Sequence, residues 1–118
     1  MPRAASARRY AQAVFELALE NRELEKWFDD LTLLSDSVSN QEFLDFLSQP
    51  RVTSEEKIRV VRDALGDSVG PLALNLMSLL ATKNIAHILP GITDRYQELL
   101  DAQQGIERAE AVTAIPLD

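Results

Sequence analysis

Ala4–Glu20, reading Ala-Ala-Ser-Ala-Arg-Arg-Tyr-Ala-Gln-Ala-Val-Phe-Glu-Leu-Ala-Leu-Glu, is the stretch whose reading decides the fold. Placed at about 100° per residue, its polar residues Arg8, Arg9, Gln12, Glu16 and Glu20 gather in one sector roughly 120° wide. The apolar residues Ala7, Tyr10, Ala11, Ala13, Val14, Phe15, Leu17, Ala18 and Leu19 span roughly 200° or more, while a helix on a single core needs a stripe only somewhat wider than about 100°. This helix has two apolar edges. Val14, Phe15, Ala11 and Ala18 are expected in the core, and Tyr10, Ala13 and Leu17 along a surface groove. The small side chains of Ala7, Ala11, Ala13 and Ala18 let another helix come close.

Around that stretch, 118 residues with 46% apolar content make room for one domain able to fold without staples. The absence of cysteine removes disulfides, thiol chemistry and the sulfur ligands of zinc. Twelve basic against nineteen acidic side chains give a formal charge of −7, which repels a phosphate backbone and argues against a nucleic-acid partner. Gln12, Glu16 and Glu20 interrupt any secretory apolar run, and no window approaches the eighteen or so apolar residues of a membrane span. Direct membrane insertion is therefore not expected.

Five more helices follow. Leu24, Trp27, Phe28, Leu31, Leu34 and Val38 recur at steps of three and four, predicting a helix over about 22–38 with a buried Trp27 and a wet face of Glu25, Lys26, Asp29, Asp30 and Asp36. Asn40 can cap a short helix over 41–47, which Pro50 stops. Thr53-x-x-Glu56 is a capping box opening a helix to about Leu65, with Ile58, Val61 and Leu65 inward and Gly66 as the residue just past its end. Ser68 or Gly70 with Pro71 opens a fifth helix over about 71–83. That helix is again apolar around more than half its circumference, with only Asn75, Ser78, Thr82 and Lys83 as a polar stripe. A sixth begins near His87 or Pro90, runs to Gln104 and is closed by Gly105. From Ile106 the residues alternate, predicting a strand. A lone strand has no pairing partner in a helical domain, so residues 106–118 are expected to be a linker and the first strand of a truncated second domain, after a helical domain over 1–105. The fold class expected is all-α, a six-helix bundle with a short extended C-terminal tail.

Nothing in the chain reads as chemistry. Ser54-x-x-Lys57 has the letters of a serine-hydrolase motif, but Ser54 sits in a capping turn and the motif's companions are missing. His87, the only histidine, has no neighbour for a metal cage and reads as a helix-start surface residue. The carboxylates Asp29, Asp30, Asp36, Glu42 and Asp45 read as solvated surface, and four scattered glycines make no phosphate loop. No cofactor is expected. Leu76-x-x-Leu79-Leu80 has the spacing of a docking helix, although leucines so placed usually fill a core.

Ala7-Arg8-Arg9-Tyr10-Ala11-Gln12-Ala13-Val14-Phe15-Glu16-Leu17-Ala18 resembles the opening signature of the delta subunit of bacterial F-type ATP synthase, called OSCP in mitochondria. The resemblance continues through Trp27, the Phe43-Leu44-x-x-Leu47 and Pro50 region, Leu74-Asn75-Leu76-Met77-Ser78-Leu79-Leu80-Ala81, Leu89-Pro90 and Gly105-Ile106. The chain departs from the family at Lys83-Asn84-Ile85-Ala86-His87, where Asn-Gly-Arg is usual, and it stops at Asp118, short of the family's usual length. The resemblance implies a non-catalytic subunit in the peripheral stalk at the cytoplasmic face of the bacterial membrane. It also implies a groove between helices 1 and 5 that receives the N-terminal helix of an alpha subunit, while the missing C-terminal domain meets the b subunits. Carried over to this sequence, the groove would comprise Tyr10, Ala13, Leu17, Leu76, Leu79 and Leu80, with Trp27 close enough to report occupancy. A helical adaptor for an amphipathic helix of an unrelated partner is the alternative that the same apolar surplus allows.

Overall fold

The computed structural model describes residues 2–114, with side chains placed from residue 5 to residue 111. Among them the elements are α1 (Pro2–Asn21), α2 (Leu24–Ser39), α3 (Gln41–Leu47), α4 (Ser54–Leu65), α5 (Pro71–Thr82), a 3-10 turn (Ala86–Ile88) and α6 (Leu89–Ala114). No strand occurs among the described residues. The all-α class and the six helices agree with the sequence.

Local chemistry accounts for most of the helix boundaries. The Asn40 side chain accepts a hydrogen bond from Phe43 N at 3.1 Å and the Thr53 hydroxyl accepts one from Glu56 N at 3.2 Å, each satisfying a first-turn donor. Gly70 and Pro71 open α5 as expected. Two helices end on a left-handed residue that is not glycine. α1 closes through Glu23 N to Ala18 O (2.8 Å) and Arg22 N to Leu19 O (3.3 Å), with Arg22 at φ 57°. α5 closes in the same way through Ile85 N to Leu80 O (2.9 Å) and Asn84 N to Ala81 O (3.1 Å), with Asn84 at φ 59°. Gly66, read from sequence as the residue past the end of α4, is instead its right-handed cap at φ −57°. It is glycine because an added Cβ would sit 2.5 Å from the Arg62 carbonyl oxygen.

α6 packs against both α1 and α2, α4 packs on α5, and α2 joins the two groups by touching α5 as well. At the centre is Tyr96 of α6, fully buried, with the Phe15 ring edge-on at 5.8 Å and the Phe28 ring stacked at 6.4 Å. Its hydroxyl donates to the Leu24 carbonyl. Burial pushes the Tyr96 phenol well above the ordinary tyrosine range, so it stays protonated as a donor. Around it lie Ala11, Ala18, Leu31, Leu34, Met77, Leu80, Leu89 and Ile92, all sealed from solvent. α1 comes close to α6 at Gly91, where an added Cβ would lie 3.3 Å from the Ala7 methyl.

Two further expectations fail. The helix expected to close at Gly105 runs on to Ala114, so residues 106–114 are not a strand; residues 115–118 of the expected tail lie outside the described residues. The period-two pattern is weak, because Arg108 and Glu110 share a phase with Ile106. Ala, Glu and Arg dominate residues 107–111 and favour helix, which pairs its own backbone where a lone strand cannot. Nothing lies within 4 Å of a Cβ at Gly105, so the glycine costs helix propensity only. Asp30, read as part of a wet face, is 8% exposed: its Oδ2 accepts from Gly70 N and from Lys26 Nζ, both at 3.1 Å. Lys57, noted in the sequence only as the last letter of Ser54-x-x-Lys57, is 3% exposed and donates to Asn84 Oδ1.

Candidate functional site

The two helices with surplus apolar surface, α1 and α5, are not packed closely on each other. Between them runs an open trough of about 270 Å³, lined by Tyr10, Ala13, Val14 and Leu17 of α1, by Leu72, Asn75, Leu76 and Leu79 of α5, and by Trp27 at its floor. Asn75 and the Tyr10 hydroxyl are the only polar groups contributed by those side chains apart from the Trp27 indole N–H. Leu17, Leu72 and Leu79 are 37%, 48% and 42% exposed, an unusual state for three leucines sharing one concavity.

Both walls follow from helical periodicity. On α1, Ala13, Leu17, Tyr10 and Val14 fall in order across about 100° of the helix, and Ala11, Ala18 and Phe15 follow on the side that enters the core. The division of α1 into a core edge and a groove edge is therefore the one that its sequence predicts. On α5, Leu72, Leu76 and Leu79 lie within about 60° of one another, whereas Leu80 lies about 100° from Leu79 in the direction of Ala73 and Met77. Leu80 is accordingly 0% exposed and belongs to the core, not to the trough wall. Of the six residues expected to form the groove, Tyr10, Ala13, Leu17, Leu76 and Leu79 come together in the trough. Trp27 joins them from α2 although only 5% of its surface is exposed.

Leu72 and Asn75 also line the trough and were not expected in its walls, and Val14, expected on the core edge and 7% exposed, lines it as well. Leu72 could have been found, because it stands four residues before Leu76 and seven before Leu79 on one helix face. Its wall position depends on the start of α5, and Asp30 fixes that start by accepting the Gly70 N–H. The trough continues past Tyr10 and Ala13 into a second cavity of about 400 Å³ edged by Ser6, Arg9, Lys83 and Ile85. At its other end, beyond Trp27 and Leu72, a small cleft of about 60 Å³ is edged by Glu23, Lys26 and Asp30. Because the C-terminal end of α5 meets the N-terminal half of α1, the two walls run in opposite senses.

The trough is walled mainly by apolar side chains. No carboxylate pair, nucleophile or base converges on it, and among the described residues no group of three or more His, Asp or Glu could hold a metal ion. His87 is half-buried in the 3-10 turn, with its Nε2 enclosed and without a hydrogen-bond partner, and does not line the trough. No helix among the described residues is long and apolar enough to cross a membrane.

A family model described as the ATP synthase delta (OSCP) subunit matches residues 6–118. The ATP synthase subunit delta of Dehalococcoides mccartyi strain 195 is 38% identical over 112 residues, which covers 95% of this chain and 61% of that relative. That of Salinibacter ruber is 37% identical over 111 residues, covering 93% and 58%. The chloroplastic ATP synthase subunit delta of Ochrosphaera neapolitana is 32% identical over 109 residues, covering 92% and 61%. The chain thus spans about three fifths of the length of these relatives. With a family match over almost its whole length, this chain belongs to the ATP synthase delta (OSCP) subunit family.

Proposed function

We propose that this chain is a non-catalytic stator module of an F-type ATP synthase, holding the catalytic head against rotor torque. Its trough between α1 and α5 receives the amphipathic N-terminal helix of an alpha subunit. The part of the relatives that lies beyond this chain, expected as a second domain, contacts the b subunits. The complex would place the module peripherally at the cytoplasmic face of the bacterial membrane. The observation that carries this reading is the trough itself: three leucines left exposed along one apolar concavity, between two helices that do not close on each other.

A joint that resists torque needs slow dissociation, which depends on well-packed apolar contact more than on charge. A helix seated over Leu72, Leu76, Leu79, Tyr10 and Leu17 removes apolar surface from water at about 25 cal/mol per Å² before ordering costs. This is the helix-in-groove mode, in which anchors spaced at three and four residues fill a preformed slot. No group in it needs to titrate or react.

The test is a calorimetric titration of the cognate alpha subunit's N-terminal peptide onto this chain, with Trp27 emission followed in parallel. Binding with a change in emission is expected. Leu79→Asp and Tyr10→Asp each place a charge in the apolar wall and should weaken binding by at least about tenfold, or about 1.4 kcal/mol, with far-UV helicity unchanged. Undiminished affinity in both variants rejects the trough as the docking site.

A further inference from the structure

The two ends of the trough carry opposite charge. At the end where α1 begins and α5 finishes, Arg9 and Lys83 edge the adjoining 400 Å³ cavity, both exposed, and neither forms an ion pair among the described residues. Lys83 caps α5, where its charge offsets the roughly half-unit of negative charge at a helix C-terminus. Arg9 has no such counterpart, so the end stays basic within a chain whose formal charge is −7. At the other end Lys26 is taken up by Asp30 at 3.1 Å, leaving Glu23 in excess. The apolar wall of Leu72, Leu76 and Leu79 lies between.

We propose that the trough accepts its helix in one direction only, set by charge: the occupant is an amphipathic helix whose acidic side chains cluster in the turn seated at Arg9 and Lys83, with its apolar stripe over the leucines. This rests on the reading of the trough as a partner-helix site and adds the chemistry and direction of that partner. Apolar contact alone does not fix direction, since a leucine stripe can be laid either way along a leucine wall. Like charges brought together in the reversed pose supply the discrimination.

The probe is the N-terminal peptide of the cognate alpha subunit, titrated onto this chain at about 20 mM and about 500 mM salt, where the Debye length falls from tens of ångströms to a few. At low salt, Arg9→Glu with Lys83→Glu is expected to weaken binding by about ten- to thirtyfold. Arg51→Glu with Arg59→Glu changes net charge equally on surfaces away from the trough, and is expected to weaken it less than about threefold. The difference should shrink at high salt, and a peptide with its acidic residues changed to lysine should regain affinity for the Arg9/Lys83 variant. Equal losses in the two double variants, or no recovery with the swapped peptide, overturn the directional proposal while leaving docking intact. A peptide that does not bind the unaltered chain overturns the docking reading and this proposal with it.

Discussion

Arg22 and Asn84 are, among the described residues, the two non-glycine positions in the left-handed region, and each sits at the same place in the same kind of helix ending. Their replacement by glycine should nevertheless have opposite effects. At Arg22 glycine relieves a strained backbone and removes only an exposed side chain, so Arg22→Gly is expected to raise stability by up to about 1 kcal/mol. At Asn84 the side chain is the acceptor for the buried Lys57 ammonium, and Asn84→Gly is expected to lower stability by about 1–3 kcal/mol. Urea midpoints of the two variants, measured together, check the signs. Tyr96 makes a second residue-scale prediction. Its phenol holds its proton to higher pH in the folded chain than the roughly 10 of an unfolded tyrosine, so above that pH the unfolded state has released a proton that the folded state retains. The stability gained from burying a neutral Tyr96 is complete below pH of about 10 and is lost as pH rises beyond it. Tyr96→Phe should cost about 1 kcal/mol at pH 7, through the lost bond to the Leu24 carbonyl, and should show a smaller alkaline loss. Denaturation midpoints compared at pH 7 and above 10 decide it. Neither Lys57 nor Asn84 could be paired from sequence, because they stand 27 residues apart on different elements.

Helix ends were largely legible, since Asn40, Thr53 and Pro71 act on donors within their own first turn. The tie between α2 and α5 was not. Asp30 stands 40 residues from Gly70, and on its own helix it falls among charged neighbours that look solvated. Only the arrival of α5 buries it. Asp30→Ala should leave the Gly70 N–H without its acceptor and lower stability by about 1–3 kcal/mol. The same change should loosen the first turn of α5 and with it Leu72, so affinity for a helix in the trough should also fall, by a few-fold. Lys26→Met removes only a half-exposed pair and serves as the control, expected to change stability by less than about 1 kcal/mol. Equal stability losses in Asp30→Ala and Lys26→Met would show that the salt bridge, and not the cap on α5, is what matters.

At the scale of the whole molecule, the Cα radius of gyration is 16.6 Å and the longest extent 68 Å. A compact chain of this length would give about 13.5 Å. The excess comes largely from α6, whose last buried residue among those described is Leu100 and whose following residues through 111 are exposed or half-buried as the helix runs on. Small-angle scattering is expected to give a radius near 16–17 Å for the chain, and one close to about 13 Å when it is cut after Gln104. A compact value for the uncut chain would mean that the end of α6 folds back on the bundle. The helical class, the places where helices start and the two edges of α1 were determined by the sequence alone, because a 3.6-residue period and a first-turn cap are set by covalent geometry and by neighbours in the chain. Which face of α5 is turned to the trough and which carboxylate is buried were decided only by tertiary structure. Each depends on what lies across from the residue in space: Leu72 and Leu80 have the same chemistry, and the core that covers one of them leaves the other open.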